Sequence, residues 1–204
     1  MKLYYFESPH PRVACAVAKY TRADVEHVRV DLSRGEHRKA DYLAIDPNGK
    51  VPALVDGDVT LWEVPAVICH IAAKTGSDLW PADERMRLDI LRWFNWSTAH
   101  FNRHAGTIWF ERTLKRPLGL GEPDEQAIDS ATKFFVQFAS VLDTHLARRD
   151  FLAGNRLSVA DFHAAMFLGY EAARLPLDGH ENIARWYARL NELPAWREPF
   201  PTRA

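Results

Sequence analysis

KVPALVDGDVTLWEVPAV, residues 50–67, is the stretch from which the architecture of this chain is read. PALVD and VTLW are short β-rich runs on either side of Asp56-Gly57-Asp58, and that pattern predicts a hairpin. Pro65 suits a first helical turn and Gly76 suits a helix stop, so a helix is predicted between them. Taken alone, Pro52 would simply open a strand. Glu63 would be a solvated acid, favourably placed at a helix start.

Upstream, KLYYF is a β-rich run that takes in Tyr4 and Tyr5, and HVRVDL alternates Val28, Val30 and Leu32 on one face. Between them PRVACAVAKY carries Val13, Val17 and Tyr20 at helical spacing, with Pro11 at a first helical position. EHRKADYLAID is a shorter helical patch. The predicted order is β-α-β-α-β-β-α within residues 1–76. Residues 77–85 read as a linker, and residues 86–204 as helical throughout, interrupted at RPLGLGEPDE by two prolines and two glycines. In NRLSVADFHAAM, Ser158 and Asp161 have capping-box spacing, with Leu157 and Phe162 at the staple positions. That is a folding signal, and it makes Asp161 a structural residue.

The bulk numbers exclude several classes of protein. Lys plus Arg number 26 against 27 Asp plus Glu, so no strong field favours nucleic acid or an anionic membrane. The start MKLYYFESP lacks the pattern of a signal peptide, and no apolar run approaches a membrane span. Cys15 and Cys69 form neither CxxC nor a metal spacing, so a reduced, cytoplasmic protein is expected.

Three segments together resemble the cytosolic glutathione transferase family: KLYYF leading into SPHPRV, DPNGKVPALVDGD with LWE, and the late FLAGNRLSVADF. They cover almost the whole chain in the family's order and spacing. The resemblance implies an α/β thioredoxin-like N-terminal domain over residues 1–76 and an all-α helical-bundle domain over residues 86–204. It also implies a homodimer and glutathione as cosubstrate. In the family the proline at Pro52 is cis, and the main chain of Val51 pairs with the cysteinyl part of glutathione like a ladder rung. Glu63 falls where family members bind the γ-glutamyl ammonium. Val64 replaces the usual serine, removing a hydroxyl donor while leaving a backbone N–H. One charge-assisted hydrogen bond is worth about 1.5–3 kcal/mol, so its loss weakens a site without abolishing it. Lys50 either reaches the glycyl carboxylate or is surface charge, and the same two readings apply to His37, Arg38 and Lys39.

The chemistry of glutathione transfer needs a thiolate, and a thiol of pKa about 8.5 is only roughly 3% ionised at pH 7. Lowering that pKa by two units takes about 2.7 kcal/mol. A helix N-terminus contributes about 0.3–1 kcal/mol and one donor to the anion about 1.5–3, which together suffice. In ESPHPRV, Ser8 is the candidate hydroxyl donor, as in serine-type members, and otherwise a cap or turn residue. His10 is the second catalytic candidate, as donor or acid–base group, and otherwise a loop residue. Ser8 matches the threonine of a nu-like pattern, whereas His10 falls where beta-like enzymes carry cysteine. A bacterial-type class with one of these affinities is therefore expected. Cys15 lies more than a turn further on, which makes a mixed-disulfide mechanism unfavourable.

RWFNWSTAHFNRHAGTIWFER places Trp93 and Trp96 as core residues, with His104, Thr107 and Trp109 as candidates for the second-substrate pocket. His100 and His104 have the i, i+4 spacing of metal ligands, but no third ligand or HExxH accompanies them, so no metal is expected. The expected activity is conjugation of the glutathione thiolate to small hydrophobic electrophiles in detoxification. Two alternatives stand beside it: glutathione-dependent disulfide or peroxide reduction, and a non-catalytic binding module of the same fold.

Overall fold

In the computed structural model, which describes residues 1–202, the apolar run at residues 2–5 becomes β1 (Lys2–Tyr5). Leu3 and Tyr5 are buried on one face of it. β2 (Glu26–Arg29) lies parallel to β1, ending three residues short of the HVRVDL run. β3 (Ala53–Asp56) and β4 (Val59–Trp62) are antiparallel partners, and the sheet order is β2-β1-β3-β4. Gly57, at φ 63°, supplies the left-handed residue that the two-residue hairpin requires.

Helix α1 (Pro9–Tyr20) starts two residues before the expected Pro11 and buries an unbroken run from Val13 to Ala18. The expected EHRKADYLAID helix is split into a 3-10 turn, Glu36–Arg38, and the short α2 (Ala40–Leu43). Helix α3 (Val64–Lys74) packs against α1, burying Val67, Ile68 and Ile71 completely. Full burial of each such side chain is worth about 1.5–3 kcal/mol, which is why this pair anchors the sheet.

The chain divides into two compact units, residues 1–82 joined by the chain from Asn191 onward, and residues 83–190. The expectation that residues 86–204 form one helical body is therefore corrected at its C-terminal end. The cause is local to α1. Arg12 donates to the carbonyl of Trp196 at 3.0 Å and stacks over its ring, and Lys19 donates to the carbonyl of Glu198. These contacts hold α9 (Pro194–Arg197) and the described residues after it on the first unit.

In the second unit α4 (Glu84–Trp96) and α5 (Asn102–Trp109) are joined and extended by two wide π turns, at Ser97–Phe101 and Phe110–Leu114. Asp83 and Asp124 cap α4 and α6 (Glu125–Leu146) through the N–H groups of Met86 and Ala127. The loop at RPLGLGEPDE is closed by Glu111, which accepts from Lys115 and from the Asp124 N–H, both at 2.7 Å. Asp161, in α7 (Val159–Ala164), does more than the expected capping. Its fully buried carboxylate accepts from Ser158, from the Leu152 N–H and from the Trp186 indole, the last on α8 (Glu181–Asn191). No helix among the described residues is long and apolar enough to cross a membrane.

Candidate active site

Sheet register brings the three predicted segments of the first unit to one place. Ala53 pairs with Tyr4 on one side and with Trp62 on the other. The turn after β1, the approach to β3 and the turn after β4 therefore share one end of the sheet. These are the segments that carry Ser8, Val51-Pro52 and Glu63-Val64.

Ser8 occupies the N-cap of α1, but its side chain makes no capping bond. The sequence accounts for part of this: a capping serine accepts from the N–H two or three residues on, and the second of those positions is Pro11, which leaves only the His10 N–H. The hydroxyl has only a long contact, 3.4 Å, to the Phe6 carbonyl. It stays at the positive end of the helix with its donor largely uncommitted.

His10 is exposed at the surface, yet the dense protein around its ring lowers its pKa, and the Lys50 cation lowers it further. His37 is shifted the same way by burial, then by Arg38 and Lys50. Lys50 is thus the common neighbour of two imidazoles that stay neutral at pH 7. Cys15 is fully buried and its thiol is pushed up to about 12 by burial and by Glu7, so it is an inert core residue.

The loop entering β3 is held by groups that sequence reasoning missed. The buried Asp46 carboxylate accepts from the N–H of Asn48 at 2.9 Å and of Lys50 at 3.0 Å, and the Tyr42 hydroxyl donates to the Lys50 carbonyl. Gly49, at φ 59°, passes so close to His37 that a Cβ there would lie 2.9 Å from the His37 carbonyl oxygen. The Asp-x-Asn-Gly signature of residues 46–49 was the available clue, since Asx side chains bind their own backbone two residues on. The following Val51–Pro52 bond is cis. His37, weighed in the sequence against simple surface charge, has a buried Nδ1 with no hydrogen-bond partner among the described residues.

At the start of α3, Glu63 is exposed with φ 69° and ψ 128°, and its side chain caps nothing. A glutamate in that region of backbone space costs of order 1–3 kcal/mol, which points to a position fixed by something other than stability. Val64 is 3% exposed, so its side chain belongs to the core. The first turn of any helix leaves N–H groups without intrahelical partners, here including those of Val64 and Ala66. Among the described residues, uncommitted main-chain donors, an acid without a hydrogen-bond partner and an imidazole nitrogen without one thus gather at one sheet end.

In the second unit the three pocket candidates do not converge. His104 stacks on Phe134 and Phe138 of α6, at 5.0 and 5.8 Å between ring centroids. Thr107 bonds back to the Arg103 carbonyl, while Trp109 packs against Phe167 and Tyr170. A spacing of five residues turns the His104 and Trp109 side chains to different faces of the helix. Trp93 is buried as expected, whereas Trp96 is half-buried. His100 stacks on Phe138, and among the described residues no group of His, Cys, Asp or Glu could hold a metal ion.

Comparison with known proteins gives a consistent result. Residues 1–73 match the family described as "Glutathione S-transferase, N-terminal domain", and residues 97–194 match "Glutathione S-transferase, C-terminal domain". "Glutathione S-transferase 3" of Zea mays is 33% identical over 207 residues, covering 97% of this chain and 92% of that protein. "Glutathione S-transferase APIC" of Nicotiana tabacum is 31% identical, covering 90% and 87% of the two chains. Among solved structures, glutathione S-transferase III in apo form superposes with a TM-score of 0.82 and 31% identity, covering 100% of this chain and 99% of that one. These curated relatives are plant proteins, and they give no support to the nu-like or beta-like bacterial class expected from the sequence.

Proposed function

The chain belongs to the glutathione S-transferase family, and from that premise we infer that it is an enzyme joining the thiol sulfur of glutathione to an electrophilic carbon. The single observation that carries this reading is Ser8: an N-cap hydroxyl that makes no capping bond, at the positive end of α1. A helix start contributes about 0.3–1 kcal/mol to a nearby thiolate, and one hydroxyl donor about 1.5–3. We assign Ser8 as the thiolate donor. The neutral His10 is the group able to accept the departing thiol proton or to donate a second hydrogen bond.

The remaining roles follow the chemistry of the peptide. We assign the Val51 main chain to its cysteinyl backbone, with Pro52 setting the direction of that strand. Glu63 takes the ammonium, and the first-turn N–H groups at Val64 take the adjacent carboxylate. Lys50 and His37 take the glycyl carboxylate. The supporting observations are the strained Glu63 backbone and the orphaned Nδ1 of His37. Catalysis then consists of thiolate stabilisation and proximity to the electrophile.

For the second substrate we keep small hydrophobic electrophiles in a detoxifying role, with His104, Thr107 and Trp109 of the helical unit as the candidate contacts. We also propose a cytoplasmic homodimer. Its support is the apolar surface left on α4 and α6, where Leu88, Leu91, Phe134 and Val141 are exposed. Initial rates with an aryl halide, a peroxide and a mixed disulfide, each with glutathione, test the reading. Turnover of the aryl halide is expected to dominate. Retention on immobilised glutathione without turnover of any of the three would identify a binding module instead.

A further inference from the structure

We propose that Arg29 is a positioning residue for the transfer reaction: it cancels the charge of Glu7, the acid just before the thiolate donor, and fixes the turn that carries Ser8. This rests on the assignment of Ser8 as that donor. Glu7 puts a carboxylate one residue from Ser8, and a like charge beside a thiolate favours the neutral thiol. Its charge is felt in the first turns of α1, where burial, and then Glu7, push up the Cys15 thiol. Left alone, Glu7 would oppose the ionisation that the helix start and Ser8 promote.

Sheet register brings the cation to the acid. Arg29 ends β2 and pairs with Tyr5 at the end of β1, so its side chain meets the residues that follow Tyr5. Its Nε donates to both carboxylate oxygens of Glu7 at 3.0 Å, and its guanidinium lies 4.8 Å from the centre of the Phe6 ring. The Phe6 carbonyl accepts from the Ser8 N–H at 2.7 Å. One side chain therefore grips both residues ahead of Ser8, one by charge and one by its ring. The Glu7 side chain is only 25% exposed, so water screens it incompletely and the paired cation matters.

Asp31 shares the guanidinium without drawing it away. It accepts from Arg29 Nη1 at 3.3 Å, but its carboxylate also takes the Ser33 hydroxyl and the N–H groups of Arg34 and Ser33. The Ser33 hydroxyl foremost, then the Arg34 N–H and Arg29, hold that carboxyl down at about 2. The Asp31 N–H donates to Glu36, which opens the 3-10 turn bearing His37. Arg29 thus ties the Ser8 turn to the loop that leads to His37. Of the other titratable groups around the Ser8 turn, Cys15 is protonated and His10 neutral at pH 7. Arg12 is engaged by the Trp196 carbonyl, while Lys50 and Glu63 belong to other segments and are the same in every variant below.

Ultraviolet titration of the thiolate in the glutathione complex of the full-length protein tests this. In Arg29→Met, which keeps an apolar chain over Phe6, the bound thiol pKa is expected to rise by about 0.5–1 unit. Glu7→Gln/Arg29→Met is expected to return it to the wild-type value, and Glu7→Gln alone to leave it at or slightly below that value. A residue that only braced the fold would not be rescued in this way, because the double variant still lacks the ion pair. Ser8→Ala, titrated alongside, reads the underlying assignment separately. An unchanged pKa in Arg29→Met beside a raised one in Ser8→Ala would overturn the role of Arg29 and leave Ser8 standing. A rise in Arg29→Met that the double variant does not reverse, or a rise in Glu7→Gln, would also overturn it. An unchanged pKa in Ser8→Ala would remove both assignments.

Discussion

The hydroxyl of Tyr42 donates to the main-chain carbonyl of Lys50, spanning eight residues to fix the strand that carries Val51. Lys50 is tied at both ends, because its N–H is held by Asp46. Replacing Tyr42 by Phe leaves that carbonyl without its donor while keeping the ring that packs edge-on against Tyr4. Steady-state kinetics are expected to show a several-fold higher KM for glutathione with kcat little changed. A fall in kcat alone would mean that the strand does not depend on this bond.

Ser8 and His10 make different predictions for the bound thiol. Ser8→Ala removes a donor to the anion, so the thiol pKa in the glutathione complex is expected to rise by about one to two units. Ultraviolet absorbance of the thiolate against pH measures this directly. His10 is held below its ordinary value by its surroundings and by Lys50. Its protonation therefore falls below the usual imidazole range, and kcat/KM in that range is expected to follow the thiol alone. An acid limb near 6.5 that disappears in His10→Ala would contradict this.

Glu63 and Val64 oppose stability to function with opposite signs. Glu63→Gly relieves a positive φ, so urea unfolding is expected to show a gain of about 0.5–1 kcal/mol while glutathione binding weakens. Val64→Ser does the reverse. It restores a hydroxyl at the α3 start but removes a buried side chain, with an expected loss of about 1–2 kcal/mol in stability and a lower KM for glutathione. If both substitutions move affinity and stability in the same direction, the assignment of this turn to the peptide is wrong.

Asp161 sets a pH dependence of folding. Burial raises its carboxyl to about 6, against the pull of donors from Leu152, Trp186 and Ser158. A carboxyl raised above its unfolded value of about 3.9 binds more protons when folded, so its contribution is full below that value and is lost as pH rises through about 6. Relative to Asp161→Asn, the wild type is expected to lose stability on the order of 2–3 kcal/mol between pH 4 and 7. Asp161→Ala strands several buried donors and is expected to cost at least about 3 kcal/mol. Chemical denaturation at a series of pH values reads both effects.

The sequence by itself determined the order of elements, the hairpin at Gly57, and the family. Those signals are local: alternation, turn residues and motif spacing are written along the chain. Only the tertiary structure decided that Val64 is core, that Asp161 gathers donors from three segments, and that the last residues leave the helical unit for α1. Burial and long-range hydrogen bonds depend on which distant segments meet, and no period or spacing encodes that. The same holds for the stretch at residues 50–67. Its strands and turns were legible, but the Tyr42 and Asp46 contacts that aim it, and the strained backbone of Glu63, arise only when the loop closes on the rest of its unit.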